Sequence, residues 1–207
     1  PDYNLGIMKA NQTLFTITTS ILEKIQPVLE QEKPDIVLVH GDTTTTFATA
    51  LAAFYMGIKV GHVEAGLRTY NLQSPYPEEF NRQATSIVAD YNFAPTQVSK
   101  EYLQKEGRTN IFVTGNTVID ALKTTVQDGY DHPILEWAKG SKLIMLTAHR
   151  RENLGEPMEH MFRAVNRILE EFEDVKVVYP IHKNPKVREL ASKIFGENER
   201  MKIIEPL

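Results

Sequence analysis

Apolar residues along this chain fall into two alternating regimes. Short runs dense in Val and Ile predict strands: "DIVLVH" (35–40), "IKVGHVE" (58–64), "YNFAP" (91–95), "IFVTG" (111–115), "KLIMLTAH" (142–149), "VKVVYPIH" (175–182) and "MKIIE" (201–205). Between them, apolar residues recur at helical spacing. The stretch 11–32 brings Leu14, Ile17, Ile21, Ile25, Val28 and Leu29 onto one face. Further helices are predicted near 43–56, 78–89, 97–106, 117–128, 156–172 and 185–196. Strands that are nearly all apolar and alternate with helices predict a doubly wound α/β protein built on parallel sheets covered on both faces.

Two features modify this rhythm. The chain opens on "PDYNLGIMKANQ", a loop leading into a helix, and closes on the strand-like "IIEPL", so it reads as a stretch of a larger protein. The segment "DGYDHPILEWAKG" (128–140), with Gly, Pro and the single Trp, interrupts the alternation. A boundary in 115–140 would separate two sheets, and it is placed at 117/118. That gives an N-terminal Rossmann-like domain over 1–117 and the first part of a second over 118–207.

In open parallel sheets ligands sit beyond the carboxyl ends of the strands. Here the residues that follow the strands are "HGDTTTT", "HVEAGLR", "APTQVS", "TGNTV", "TAHRREN" and "YPIHKNP". His40, His62, His149 and His182 all fall in these loops, and only His132 and His160 lie elsewhere. The longest loop, "HVEAGLRTYNLQSPYPEEFNR" (62–82), gathers Glu64, Arg68, Glu78, Glu79 and Arg82 with little core-forming pattern. Asp42, Glu64 and Glu78 are thereby candidates to face a ligand, with Arg68 and Asn116 as further groups to hold it.

Each of these pieces has a plainer reading. Asp42 and Thr43–Thr46 suit a helix N-cap. "PEEFNR" suits a first helical turn with Pro at its start and acids complementing the dipole. "HRR" (149–151) suits a solvated charge run. A cation held by His40, Asp42, His62 and Glu64 is also compatible with the two-residue spacings. Neither a G-x-G-x-x-G after a strand nor a Walker A motif occurs, so nothing in the chain calls for a nicotinamide cofactor or a P-loop.

Composition narrows the classes. The 207 residues are 42% hydrophobic and 24% charged, ordinary for a folded domain. A net charge of −4 without a basic tract argues against nucleic acid as partner. No apolar run approaches the length of a membrane span. The lack of Cys rules out disulfides and thiolate metal sites and makes a reducing cytoplasm the expected setting.

The blocks "HGDTTTTFATALAAFYMGIKVGHVEAGLRTYNLQSPYPEEFNRQATSIVADYNFAPT", "VTGNTVIDAL", "LTAHRRENLGE" and "PIHKNP" resemble the bacterial non-hydrolysing UDP-N-acetylglucosamine 2-epimerases, in the same order from about residue 5 onward. The resemblance implies two Rossmann-like domains in a GT-B arrangement, the second incomplete here. It also implies interconversion of UDP-GlcNAc and UDP-ManNAc without added cofactor or metal, usually by a homodimer, to supply surface polysaccharides. By resemblance Asp42, Glu64 and Glu78 match the family's catalytic carboxylates and His149 its active-site histidine. Glu78, Arg150 and His182 match positions of a neighbouring site for an activating UDP-GlcNAc. The family's first strand and its uridine-holding C-terminal part are not in the chain, so residues 1–207 alone are not expected to turn over substrate. A GT-B glycosyltransferase, a hydrolysing epimerase and a non-catalytic nucleotide-sugar module are the competing readings. Which carboxylate takes the proton and which returns it stays open at this level.

Overall fold

The computed structural model describes residues 1–9, 11–148 and 153–206. The chain divides into two compact units, Pro1–Val126 and Gln127–Leu207. The division therefore falls after the helix that follows Asn116, later than the 117/118 position expected from the sequence.

In the first unit four strands, β1 (Ile36–His40), β2 (Lys59–Val63), β3 (Tyr91–Ala94) and β4 (Ile111–Val113), pair in parallel in their chain order. Helices α1 (Leu14–Glu32), α2 (Thr44–Tyr55), α3 (Glu78–Val88), α4 (Gln97–Lys105) and α5 (Thr117–Thr125) make up the remainder of its regular structure. Sequential order with right-handed crossovers sends α2, α3 and α4 to the same face. There Val39 and Val60 bury against Ala50 and Ala53, whose small side chains let α2 lie close to the sheet. The predicted inward face of α1 is present, with Ile21 and Leu29 fully inside. Cover on both faces, implied by the all-apolar strands, is met by these helices on one face. On the other, Leu38 and Phe112 are 63% and 49% exposed. Gly61 lets neighbours close over β2 there: a Cβ at this position would meet Leu38 Cδ2 at 2.5 Å and Phe93 at 3.3 Å.

The second unit carries a three-stranded parallel sheet in the order β5 (Lys142–Met145), β6 (Val175–Pro180), β7 (Met201–Ile204). Helices α7 (Glu156–Glu171) and α8 (Pro185–Phe195) pack on it around Phe162, Tyr179, Phe195 and Val187. The Pro- and Trp-containing segment that broke the alternation forms a short helix, α6 (Pro133–Ala138), which the periodicity did not predict. Among the described residues no helix is long and apolar enough to cross a membrane.

Candidate active site

The site is assembled from the carboxyl edge of the first sheet. Parallel pairing sets His40 opposite Val63, so the residues immediately beyond β1 and β2 emerge side by side. The Gly41 N–H donates to the Val63 carbonyl at 3.0 Å. Thr43 caps α2, and the Thr46 hydroxyl donates to the His40 carbonyl at 2.6 Å. The Thr run does act as a helix start, and in doing so it fixes the turn that carries Asp42.

Glu64 stands at φ +66°, left-handed backbone that a side chain larger than Gly seldom adopts. Such strain persists only where the surroundings enforce it, and it turns the Glu64 carboxylate toward β1 and α5. Its Oε2 lies 3.4 Å from His40 Nε2 and its Oε1 3.5 Å from Asn116 Nδ2. Thr117 Oγ1 is 3.5 Å from the same His40 nitrogen. His40, Glu64, Asn116 and Thr117 thus form one polar group, with His40 57% exposed at its side chain. The sequence offered His40 only as a cation ligand and gave Thr117 no part in the site.

Asp42 belongs to a second group built from α3. The Asn81 amide donates to the Asp42 carbonyl at 2.9 Å, and Arg82 Nη2 lies 3.4 Å from Asp42 Oδ2. Arg82 Nε is also 3.3 Å from Glu79 Oε2, inside a region where the Glu79 side chain has no exposure. Glu79 accepts from the backbone N–H groups of Thr69 and Tyr70, both at 3.0 Å, and from Gln83 Nε2 at 2.7 Å. Burial alone would raise the Glu79 pKa. The hydrogen bonds from Gln83, Thr69 and Tyr70, with the Arg82 charge, outweigh it and hold the carboxyl below its ordinary value. Glu78, one residue earlier, is only partly buried, and no hydrogen bond or ion pair to its carboxylate occurs among the described residues.

Two expectations need correction. Arg68 does not face a ligand. Its side chain is completely buried, forks onto both Glu106 oxygens at 2.8 Å and donates to Ser86 Oγ and the Leu67 carbonyl. Four of its five N–H groups are thereby committed, and the side chain has no exposed surface to offer a ligand. His62 is likewise turned inward, fully buried, with Nε2 2.8 Å from the Gly41 carbonyl. Burial pushes its pKa down to about 4, partly opposed by that hydrogen bond and reinforced by the Arg68 and His40 charges. It is neutral at pH 7 and braces the turn beneath Asp42. Of the four proposed cation ligands, His40 and Glu64 come within ion-pair reach, while His62 is committed to the backbone.

In the second unit the Tyr179 hydroxyl donates to the Ala148 carbonyl at 2.7 Å, fixing the chain just before His149. His149 and Arg150 lie outside the described residues. His182 follows β6, and its Nδ1 accepts from the Asn184 N–H at 3.1 Å beside the N-terminus of α8.

Fold and edge define a parallel α/β protein with its acid–base side chains gathered where the strands of its first unit end. A family model described as UDP-N-acetylglucosamine 2-epimerase matches residues 1–207, and the chain belongs to that family. It is 62% identical over its whole length to the UDP-N-acetylglucosamine 2-epimerase of Bacillus subtilis strain 168, covering 55% of that protein. Among solved structures, the S. aureus MnaA–UDP complex superposes with a TM-score of 0.91 at 52% identity, over 95% of this chain and 54% of that one. The UDP-GlcNAc 2-epimerase of Neisseria meningitidis bound to UDP-GlcNAc superposes with a TM-score of 0.87 at 44% identity, over 100% of this chain and 58% of that one. The chain thus spans a little over half the length of these relatives.

Proposed function

We propose that the protein containing this chain interconverts UDP-GlcNAc and UDP-ManNAc by inverting C2 of the sugar, without hydrolysis and without an added cofactor. The observation that supports the reading is membership of this family, together with Asp42 and Glu64 just beyond adjacent strands β1 and β2 and Glu78 as the first residue of α3. The C2–H is not adjacent to a carbonyl, so removing its proton alone leaves no stabilised enolate. Loss of the proton must accompany departure of UDP from C1, whose C–O electron pair leaves with the diphosphate. The product is 2-acetamidoglucal with a C1=C2 double bond. Re-addition of UDP at C1, with a proton delivered to the other face of C2, gives the epimer and restores every atom.

The chemistry calls for an acid and a base near C2 and for cationic groups near the departing diphosphate. We assign the first task to Asp42, Glu64 and Glu78, with Asn116 as a substrate contact, and the second to His149. Glu78, Arg150 and His182 are proposed to line a neighbouring effector site for a second UDP-GlcNAc. The N-terminus of α8 beside His182 suits a phosphate. His182→Ala should then weaken activation by UDP-GlcNAc more than it weakens the chemical step; equal loss of both rejects the assignment. A homodimeric, cytoplasmic enzyme with two Rossmann-like domains in a GT-B arrangement completes the reading.

The test is incubation of the intact protein with UDP-GlcNAc in D₂O, followed by separation of the sugar nucleotides. UDP-ManNAc carrying deuterium at C2 is expected, with label entering the substrate pool on longer incubation. Free ManNAc with UDP would indicate hydrolysis, and unlabelled UDP-ManNAc would exclude elimination.

A further inference from the structure

Two adjacent glutamates open α3, and the fold separates their tasks. Glu78 stands at the edge with a partly buried side chain, whereas Glu79 points inward and loses all exposure. From Glu79 a continuous path of contacts runs outward. Its carboxylate gathers the Thr69 and Tyr70 amides and Gln83, and it holds Arg82 Nε at 3.3 Å. Nη2 of the same guanidinium lies 3.4 Å from Asp42 Oδ2, while the Asn81 amide donates to the Asp42 backbone carbonyl at 2.9 Å. The Arg82 side chain is 9% exposed and that of Asp42 31%, so the cation is held inside while the carboxylate keeps an open side. The Arg82 guanidinium lies within ion-pair distance of both carboxylates, and its Nε also donates to the Glu78 carbonyl at 3.4 Å, so one planar group spans Asp42, Glu79 and the first turn of α3, a reach that a compact ammonium lacks.

We propose that Arg82 is a positioning residue for the epimerisation, orienting the Asp42 carboxylate relative to Glu78 by anchoring it to buried Glu79. The inference rests on the functional reading above and deepens it. Asp42 and Glu78 belong to different elements, the β1–α2 turn and the start of α3. Arg82 and Asn81, one turn after Glu78, make those two elements a single rigid body. Proton transfer to or from C2 demands that geometry to within a fraction of an ångström.

Arg82→Lys keeps the charge beside Glu79 and removes the planar group. It should lower kcat by roughly 10- to 100-fold, with KM for UDP-GlcNAc changed less than threefold and the melting temperature nearly retained. In the Asp42→Asn background the same change should cost nothing further, because its effect runs through Asp42. Wild-type kcat in Arg82→Lys, or an equal additional loss in the Asp42→Asn background, overturns the proposal. A crystal structure of Arg82→Gln gives an arm independent of activity: the Asp42 carboxylate should lose its single orientation while the α3 backbone stays in place. An unmoved Asp42 carboxylate there also overturns it. Intact wild-type protein that fails to convert UDP-GlcNAc rejects the functional reading instead, and the Arg82→Gln structure still decides whether Arg82 orients Asp42.

Discussion

His40 Nε2 and Glu64 Oε2 lie 3.4 Å apart, joining the end of β1 to the residue just beyond β2. Glu64 reaches this partner from left-handed backbone, at φ +66°. Removing the ring should leave the carboxylate held only through Asn116, at 3.5 Å. His40→Ala is expected to lower kcat roughly tenfold, with KM little changed, and His40→Gln should recover part of the loss because its amide can still donate to Glu64. Steady-state kinetics on the two variants checks this, and unchanged kcat in His40→Ala would remove His40 from the site.

Asp42→Asn, Glu64→Gln and Glu78→Gln preserve shape and abolish basicity. Each should reduce turnover by at least about 10²-fold, the scale of a positioned acid or base. Melting temperatures should stay within a few degrees, since Asp42 and Glu64 have side chains 31% and 29% exposed at a sheet edge. Any variant that turns over near the wild-type rate acquits its residue.

Stability should fall on mild acidification. His62 has its folded pKa pushed down to about 4 from an ordinary 6.5, chiefly by burial. Between those values the unfolded chain binds more protons than the folded one, so unfolding becomes easier as pH drops from 6.5 toward 4, by up to about 3 kcal/mol. Glu79, held below its ordinary 4.5, adds a further loss as pH falls past that value and its carboxylate takes up a proton. His62→Gln can still donate to the Gly41 carbonyl but cannot titrate. Denaturant melts at pH 7 and pH 5 should show a smaller difference for this variant than for wild type.

Two glycines should fail in different ways. Gly66 has φ +87°, and a Cβ there would lie 2.3 Å from the Ser99 carbonyl oxygen, a backbone atom that cannot swing aside. Gly66→Ala should cost about 3 kcal/mol or more, read as a large drop in melting temperature. At Gly41, φ +75°, the added carbon would meet only Glu64 Oε2, at 3.6 Å. Gly41→Ala should therefore hurt turnover more than folding, and the reverse ranking would contradict the packing described.

The alternation of strands and helices was legible because parallel strands and amphipathic helices leave different periods in the sequence. Strand and helix bounds moved by only a few residues, as with "KLIMLTAH", whose regular part ends at Met145. The crowding of polar residues at the strand ends was legible for the same reason. What each polar residue does there was less so. Arg68 finds Glu106 38 positions away, a pairing that only the fold creates. Glu78 and Glu79 are the same residue type side by side, yet a helix turns successive side chains in different directions, so one faces the edge and the other the interior. His40 is level with Val63 and His62 with Val39, one position apart, so pleating turns His40 outward and His62 to the buried face. Periodicity could have flagged His62, since it continues the buried face begun by Val60.

The tie between Glu79 and the backbone of Thr69 and Tyr70 has a consequence for how this edge moves in solution. Residues 69–76 have the look of a loose excursion, without helix or strand and mostly exposed. Two of its amides are nevertheless spoken for by a carboxylate that water does not reach. In hydrogen–deuterium exchange Thr69 and Tyr70 should stand out as slow positions within a fast segment. Their exchange should accelerate in Glu79→Gln together with that of the α3 start, because releasing the one carboxylate frees the loop and the helix at once.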